Sequence, residues 1–463
     1  MPGARGSTRL ARREFLGMAL GSAAALATQG RLARAMEALA RDVAPVRHPL
    51  YLPPTLGPSA LSLAASPAIV DVGGGQLSPV LAYNGLFPGP TIRARKGDGV
   101  SIRLTNGLSD VTTVHWHGMV VPTSADGHPR DAVAPGNSYT YEFPVVQRAC
   151  MNWYHPHPHM LTSEQVAYGL AGAFVVTDDV EAALGLPSGS HEVPLVIRDA
   201  DFDSRGDLVY KPRSSGYLGK VPLVNGTRDP KLEVDTALYR LRILNGANGR
   251  VFRLVLASGA PFTLVGNDGG LLASSAQVPG IMLGSGERLD LLVDFRGATV
   301  GDRVMLRCAK ARWNLLEFVV ARRVDVPGSI PTTLSTIRKL SNPVVTREFS
   351  FDGMSRINGR EYDIDRIDFH VPFGQTELWR FTTGGNAPHP VHVHGASFQV
   401  KSRSGGRGRV FPWERGWKDT VLLLDGETVD VLIRFDRYRG LYLMHCHKLE
   451  HEDMGMMTNF EVV

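Results

Sequence analysis

The chain has 463 residues, of which 43% are hydrophobic and 21% are charged, a composition that is typical of a folded globular protein and excludes extensive disorder. Its formal charge at neutral pH is +5, but residues 1–35 contain six arginines and one glutamate, so this leader accounts for the whole excess. The rest of the chain is electrically balanced, which gives no indication of a surface for nucleic acid or for a lipid membrane. The three cysteines exclude a disulfide-rich scaffold of this size.

The N-terminus has the pattern of an export signal. Arg12 and Arg13 precede an uncharged run at residues 15–30, and a small-x-small pattern follows at residues 33–35. We predict that residues 1–35 are a twin-arginine signal peptide, recognised by the twin-arginine export machinery. The alternative is a short N-terminal anchor, but the run of 16 residues is shorter than the roughly 20 residues of a spanning helix. The expected location is therefore periplasmic or secreted, without stable membrane insertion.

A weak internal repeat divides the rest of the sequence. Asn-Gly pairs begin at residues 84, 225 and 358, which are 141 and 133 residues apart, and each pair is followed by a run of alternating apolar residues. Such alternation has the period of a half-buried strand, and the dense Gly, Pro and Asn between the runs favours β-sandwiches or Greek-key barrels. We predict an all-β protein with three domains, at residues 48–182, 190–325 and 345–463.

Ten of the fifteen histidines fall in four clusters, each of which contains a His-x-His pair. The clusters are His115 and His117; His155 and His157; His389, His392 and His394; and His445, His447 and His451. On an extended chain, residues i and i+2 project from the same face, so each pair can direct two imidazoles to one point. Imidazole binds copper, zinc, iron and nickel, and eight such ligands exceed what one four-coordinate ion needs. The pattern therefore predicts several metal ions.

Cys446 indicates which metal is bound. It lies between His445 and His447, so on a strand its sulfur points away from the face that carries these two histidines. A metal site that includes this sulfur can be completed by His389, His451 and Met456. Two imidazoles, a thiolate and a thioether are typical of an electron-transfer copper, and one residue of backbone would connect its sulfur to the histidines of the other cluster.

With these four motifs, the sequence resembles the three-domain multicopper oxidases, the family of bacterial laccases and cuprous oxidases, over roughly residues 50–463. The resemblance implies cupredoxin-like Greek-key domains and four copper ions per chain: one type 1, one type 2 and two type 3. It assigns His389, Cys446, His451 and Met456 to type 1 copper; His115 and His392 to type 2; and His117, His155, His157, His394, His445 and His447 to the type 3 pair. The middle domain contains only His191 and is expected to bind no copper.

Two acidic residues are candidate catalytic groups, because the reduction of dioxygen to water consumes protons that side chains must relay. Asp126 follows His117 by nine residues and matches an acid that related enzymes carry beside the type 2 copper. Glu452 follows His451 and matches an acid that can face the type 3 pair. For each, a solvated surface position is the alternative. Asp419 matches a family motif that is expected to orient a ligand histidine.

The substrate class depends on what covers the type 1 site. Cuprous oxidases of the family often carry a methionine-rich segment there, whereas residues 324–388 contain only Met354. We therefore expect an open site with His389 and His451 as its substrate-facing edge. The predicted activity is laccase-type oxidation of phenols and aromatic amines, with dioxygen as the electron acceptor. The alternative is a metal-ion oxidase for Cu(I), Fe(II) or Mn(II) that serves copper tolerance.

Other classes fit the sequence less well. A copper nitrite reductase usually has two domains and lacks the eight-histidine cluster, and a non-enzymatic cupredoxin scaffold would have lost its ligands. The pattern from His447 to His451 also matches a zinc-peptidase motif, which requires a helix that carries both histidines. Cys150 and Cys308 are free to form a disulfide or to remain unpaired buried thiols. We expect a monomer whose partners are a small reducing substrate and dioxygen.

Overall fold

The structure is a computed structural model that describes residues 46–325, 329–385 and 388–463; the predicted signal peptide at residues 1–35 lies outside them. The all-β prediction is confirmed, since 33 strands form six sheets in the described residues. These sheets form three pairs along the chain, which we call the first, second and third sandwich. No described helix has the length and apolar character that a membrane crossing requires.

The first sandwich follows a short strand, β1 (His48–Pro49), and has sheets in the order β4-β3-β6-β8 and β2-β5-β10-β9-β7. Its strands are β2 (Thr55–Leu56), β3 (Leu61–Asp71), β4 (Leu77–Tyr83), β5 (Thr91–Arg95), β6 (Gly99–Asn106), β7 (His115–His117), β8 (Ser138–Pro144), β9 (Cys150–His155) and β10 (Gly172–Thr177). Its helices are α1 (Thr162–Tyr168), α2 (Asp179–Ala182) and 3-10 turns at Thr123–Ala125 and Pro129–Asp131.

The second sandwich comprises two larger sheets, in the order β1-β15-β23-β22-β17-β20 and β14-β13-β11-β16-β21-β18-β19, with β12 paired to β11. A 3-10 turn at Gly189–His191 precedes its strands β11 (Glu192–Phe202), β12 (Leu208–Val209), β13 (Val221–Val224), β14 (Thr227–Arg228), β15 (Pro230–Asp235), β16 (Leu238–Asn245), β17 (Phe252–Leu256), β18 (Phe262–Asn267), β19 (Gly270–Val278), β20 (Ile281–Leu283), β21 (Arg288–Asp294), β22 (Arg303–Cys308) and β23 (Trp313–Arg322).

The third sandwich has the sheets β25-β24-β27-β31-β29 and β26-β33-β32-β28-β30. Its elements are β24 (Thr346–Asp352), β25 (Arg356–Ile357), β26 (Phe369–Val371), β27 (Thr376–Thr383), β28 (His389–Val393), β29 (Phe398–Ser404), a 3-10 turn (Pro412–Glu414), β30 (Thr420–Leu423), β31 (Thr428–Arg434), β32 (Gly440–Cys446), α3 (Leu449–Asp453) and β33 (Met457–Val462).

The first strand departs from the predicted order of domains. Although we place the start of the first domain at residue 48, β1 does not join the first sandwich but runs parallel to β15, with His48 opposite Pro230. The pairing connects residues 182 positions apart, which no local pattern indicates. The exact domain boundaries stay predictions.

Local sequence explains most of the sheet geometry. The predicted Asn-Gly turns have positive φ at Asn84, Asn225 and Asn358 and at the glycine that follows each, as a type I′ hairpin requires. In β31, alternate residues are buried in the core of the third sandwich. By contrast, β7, β9 and β28 are buried along their entire length, because one face packs on a core and the other carries histidines towards another sandwich.

A buried charge network joins the end of the first sandwich to the second. Arg242 Nη2 lies 2.8 Å from a carboxylate oxygen of Glu181, which belongs to α2, and Arg242 Nε also pairs with Glu192. Arg240 bonds both Glu181 and Asp290 at 2.8 Å. Buried charges of this kind are tolerated only when each has its partner.

We predict that Arg242→Met lowers the free energy of unfolding by about 3–5 kcal/mol, because it leaves Glu181 and Glu192 buried beside fewer cations. Urea unfolding followed by tryptophan fluorescence measures the change. The matched control is Arg322→Met. The Arg322 side chain is 72% exposed and makes two hydrogen bonds of 2.9 Å to Asp235. The control should have little effect; equal losses in the two variants would contradict the role assigned to burial.

Candidate metal centres

Two strands from the first sandwich and two from the third bring the histidine clusters together. His115 in β7 lies opposite His155 in β9, and His392 in β28 lies opposite His445 in β32. In the motif of β7, Trp116 points the other way and is buried in the core of its own sandwich. The period of two therefore separates side chains that hold the fold from side chains that face the shared site.

Eight histidines from these strands and the turns after them are almost entirely buried: His115, His117, His155, His157, His392, His394, His445 and His447. Burial and neighbouring imidazoles lower the pKa of most of them, including His115, His394 and His445. Neutral imidazoles with free lone pairs are the form that binds a metal.

One group of three is arranged as metal ligands. His445 Nε2 lies 3.4 Å from His157 Nε2 and 3.2 Å from His394 Nε2, and the three nitrogen atoms form one cluster. Three ligands placed trigonally at about 2 Å from a metal ion would be about 3.5 Å apart. A separate pair, His115 Nε2 and His392 Nε2, is 3.3 Å apart.

A second group of three contains ring nitrogens without a partner. His117 Nδ1, His155 Nε2 and His447 Nε2 are buried and make no hydrogen bond, while the ring centres of His117 and His447 are 4.8 Å apart and those of His155 and His447 are 5.3 Å apart. Buried polar atoms are normally satisfied, so three unpartnered lone pairs close together fit the binding of a metal ion.

The remaining donor set lies in the third sandwich. Cys446 Sγ is 3.5 Å from His389 Nδ1 and 3.8 Å from His451 Nδ1, and the two nitrogens are 3.3 Å apart. Met456 is buried in the same core as Cys446, and its backbone bonds both Cys446 and His451. A thiolate with two imidazoles, beside a thioether, fits copper.

The zinc-peptidase alternative is not supported by this arrangement. A short helix, α3, includes His451, but His447 precedes it, so no single helix carries both histidines. His447 faces the eight-histidine cluster, whereas His451 on α3 faces Cys446. The two histidines therefore belong to different centres.

Asp126 is buried and bound to the histidine cluster, which excludes the solvated alternative. Its Oδ2 accepts a hydrogen bond of 2.8 Å from His394 Nδ1, and its backbone carbonyl accepts one of 2.8 Å from His115 Nδ1. Oδ1 has no partner. Burial, with a smaller contribution from Asp131, raises the pKa of Asp126 well above its ordinary value, so the carboxyl group can carry a proton.

Glu452 is likewise buried against the cluster. Its Oε2 lies 3.0 Å from His445 Nδ1 and its Oε1 lies 3.5 Å from His157 Nε2. Burial raises the pKa of Glu452 above its usual range. The two acids thus approach the cluster through different histidines.

The second sandwich holds the site although it supplies none of the candidate ligands. Arg288, at the start of β21, bonds Asp419 through both terminal nitrogens, and Asp419 Oδ1 lies 3.1 Å from His117 Nε2. The Arg288 guanidinium holds the pKa of Asp419 well below its ordinary value despite burial. Because the carboxylate accepts a hydrogen bond from Nε2–H, it leaves the lone pair on Nδ1 of His117 free to bind a metal.

Two other residues of the second sandwich lie against the histidines. Ser285 Oγ is 3.3 Å from His447 Nδ1, and a Cβ on Gly286 would lie only 3.0 Å from the rings of His117 and His447. Lys418, next to Asp419, is bonded to Asp268 at 2.8 Å. Sequence analysis missed Arg288 and Ser285, since neither belongs to a recognisable motif.

The expectation of an open Cys446 centre is wrong, because His389 and His451 are both 0% exposed. The loop between β12 and β13, residues 210–220, covers the centre and is called the cover loop. Burial lowers the pKa of both His451 and His389, with a smaller opposing effect from the carbonyl of Ser214 on His451 and from that of Gly385 on His389. Neither carbonyl reaches hydrogen-bond geometry.

Lys448 fastens the cover loop. Its backbone nitrogen lies 3.4 Å from Cys446 Sγ, and its Nζ donates to the carbonyl of Ser215 at 3.2 Å. A Cβ on Gly216 would lie 2.6 Å from the Lys448 stem, and one on Gly249 would lie 3.0 Å from it. The lysine therefore lies between two glycines of the second sandwich, at positions where a larger residue would collide with it.

Glu450 adds a second attachment. Its Oε1 accepts hydrogen bonds from Tyr210 Oη at 3.0 Å and from Asn248 Nδ2 at 2.8 Å. Both partners belong to the second sandwich, and Tyr210 begins the cover loop. The segment that carries His447 and His451 is thus clamped from outside its own sandwich.

Cys150 and Cys308 are unpaired buried thiols, one of the two expected alternatives. Cys308 lies in the core of the second sandwich, whereas Cys150 begins β9 in the first.

Comparison with known proteins identifies the family of the chain. Family models described as multicopper oxidase match residues 66–181 and 329–463. The chain is 34% identical over 398 residues to the multicopper oxidase mco of Staphylococcus haemolyticus, covering 83% of this chain and 84% of that protein. It is 31% identical over 461 residues to a laccase of Bacillus subtilis, covering 82% and 89%. It is also 31% identical over 439 residues to the cell division protein FtsP of Dickeya dadantii, covering 89% and 92%.

Solved structures give the same result. The multicopper oxidase McoA of Aquifex aeolicus is similar with a TM-score of 0.84 and 34% identity, over 90% of this chain and all of that one. A laccase of Pediococcus acidilactici is similar with a TM-score of 0.85 and 35% identity, over 91% and 94%. The chain therefore belongs to the multicopper oxidase family, as its four histidine motifs predict.

Proposed function

We propose that the protein is a laccase-type oxidase that removes single electrons from phenols and aromatic amines and reduces dioxygen to water. The main support is the connection between the two donor sets. Cys446 faces His389 and His451, while its neighbours His445 and His447 face the eight-histidine cluster. One residue of backbone thus separates a centre suited to accept electrons from a centre suited to several metals.

The bound copper ions would supply one-electron transfer at the first centre and reduction of dioxygen at the second. We propose four ions per chain, held by these ligands: His389, Cys446, His451 and Met456 for type 1; His115 and His392 for type 2; and the triads His117, His155, His447 and His157, His394, His445 for the type 3 pair.

Asp126 and Glu452 are proposed as the groups that hold protons for this reaction. Each carboxyl group is buried against ligand histidines, and each has an oxygen without a hydrogen-bond partner. An acid in such a position can donate a proton inside a site that excludes bulk water.

The cover loop favours organic reductants over metal cations. Its exposed residues include Lys211 and Arg213, and the loop contains neither methionine nor cysteine. Cu(I) prefers soft thioether or thiolate ligands, and a positive surface disfavours the approach of a cation. Oxidation of Cu(I), Fe(II) or Mn(II) remains the alternative function.

A scaffold role, the other class, would not need two complete donor sets. The similarity to a cell division protein, FtsP, is a reason to test this alternative. The copper content of the purified protein distinguishes a scaffold from an oxidase. We further propose that the protein is exported by the twin-arginine route, to the periplasm or the medium, and acts there as a monomer on small reductants and dioxygen.

We predict that Cys446→Ser abolishes the thiolate-to-copper absorption band near the red end of the visible spectrum, while the eight-histidine cluster still binds copper. The serine oxygen cannot replace the thiolate as a charge-transfer donor. Visible spectra and metal analysis measure the two effects. Cys308→Ser, which alters a buried thiol of the second sandwich, is the control and should stay blue; a blue Cys446→Ser protein would refute the assignment.

Asp126→Asn should slow dioxygen reduction by about 10²- to 10⁴-fold, the usual contribution of a positioned acid, while reduction of the Cys446 centre by substrate changes little. The amide retains the shape of the carboxyl group but cannot donate its proton. Stopped-flow measurement of the two half-reactions tests this, with exposed Asp110→Asn as the control. Equal slowing of both half-reactions would instead indicate a structural role.

Substrate preference is tested with the double variant Lys211→Glu and Arg213→Glu. We expect a several-fold higher kcat/KM for Cu(I) and little change for the uncharged 2,6-dimethoxyphenol, because the charge at the cover loop is reversed. Steady-state turnover of 2,6-dimethoxyphenol and Cu(I), each with and without excess copper, gives the baseline. Lys310→Glu, exposed on the second sandwich, is the control. A wild-type protein that ignores phenols without added copper yet consumes Cu(I) efficiently would favour the metal-oxidase alternative.

A further inference from the structure

A cavity of about 250 Å³ lies where the three sandwiches meet, and its lining includes Gly118 and Gly395, which directly follow His117 and His394. The first sandwich contributes Gln147 and Arg148, the second Gly269, and the third Trp417 and Arg434. We call it the junction cavity. Gly269 donates a backbone hydrogen bond of 2.9 Å to Trp417, so the second and third sandwiches touch at its wall.

The segment between the second and third sandwiches forms another wall. Arg338 and Leu340 line the cavity, and both are tied to the third sandwich through Gln399. The Gln399 amide donates 2.7 Å to the carbonyl of Arg338, and its oxygen accepts 2.9 Å from the Leu340 backbone. The connecting segment is therefore held in place beside the cavity.

The cavity wall contains hydrogen-bond donors that lack acceptors. Gln147 Nε2 is buried without a partner, and its orientation is fixed because Gln147 Oε1 accepts from the Val146 backbone at 3.2 Å. Arg434 Nε also makes no hydrogen bond, although it forms an ion pair with Asp436 at 3.4 Å. Within the described ranges, the Arg148 guanidinium makes no hydrogen bond or ion pair. Arg148 is half-buried, whereas Gln147 Nε2 is a buried donor without a partner, which indicates an acceptor that is not part of the chain.

Most of the charged side chains around the cavity are positive. Arg148, Arg338, Arg434 and Arg437 line it, and Asp436 is the one acidic residue in the lining. Asp178 and Glu181 act on Arg148 only as neighbouring charges. Arginine remains protonated in proteins, so the lining carries an excess of positive charge.

We propose that the junction cavity binds a small multivalent oxyanion, with carboxylate or phosphate groups, that bridges Arg148 of the first sandwich and Arg434 of the third. Its volume equals that of about eight water molecules at 30 Å³ each, which is sufficient for a phosphate or a dicarboxylate. Guanidinium groups bind both through paired charge-assisted hydrogen bonds. Such a ligand would stabilise the protein, since it binds the folded state only.

The test uses the copper-loaded protein with three salts at equal ionic strength: sodium phosphate, sodium succinate and sodium chloride. Isothermal titration gives the dissociation constant, and calorimetry gives Tm. We expect saturable binding of phosphate, succinate or both, a rise in Tm that follows occupancy, and no such effect of chloride. Binding of phosphate alone would identify an inorganic ligand, and binding of succinate alone a dicarboxylate.

Variants locate the site. Arg148→Gln and Arg434→Gln should each weaken binding at least tenfold, because each removes a charge-assisted donor. Gln147→Leu removes a neutral donor and provides a second readout should Arg434→Gln not fold. Arg103→Gln, exposed on β6 and outside the cavity, should bind as the wild type does. Absence of saturable binding, or equal affinity in all four variants, would overturn the proposal.

Discussion

The eight buried imidazoles must remain neutral, and the rest of the site is arranged around this constraint. Burial and mutual repulsion lower the pKa of most of them, so a proton on one ring destabilises its neighbours. Each neutral ring has one N–H and one lone pair. If the lone pair faces the centre of the cluster, the N–H needs an acceptor on the outside.

Acceptors are found on that outer side. The carbonyl of Asp126 serves His115, the carbonyl of Asp419 lies 2.8 Å from His392 Nδ1, and the carbonyl of Pro156 lies 2.8 Å from His155 Nδ1. Side-chain carboxylates serve His394 and His117. Backbone carbonyls cannot be changed by substitution, so several tautomers are fixed by the fold itself.

The sequence was sufficient to predict the candidate ligands that the structure brings together, because they follow local rules. Each His-x-His pair depends on strand alternation, and the predicted all-β class depends on the same alternation and on Asn-Gly turns. The features that could not be predicted from the sequence are contacts between distant parts of the chain. Arg288 reaches Asp419 across 131 positions, and the cover loop reaches Lys448 across 233 positions. Such contacts follow from how the sandwiches pack, which no short motif encodes, and for this reason the expected open edge at His389 and His451 was wrong.

The pairing of β1 with β15 affects the order in which the chain can fold. His48 lies beside Gly73 and Gly74 of the first sandwich and also beside β15 of the second. Its partner strand begins at residue 230, so during synthesis the first strand stays unpaired until nearly half of the chain has been made. Pairing across such a separation carries a large loop-closure entropy and forms late. This strand of the fold therefore waits for a partner from the second sandwich, and its pairing ties the beginning of the described chain to that sandwich before the third one is made.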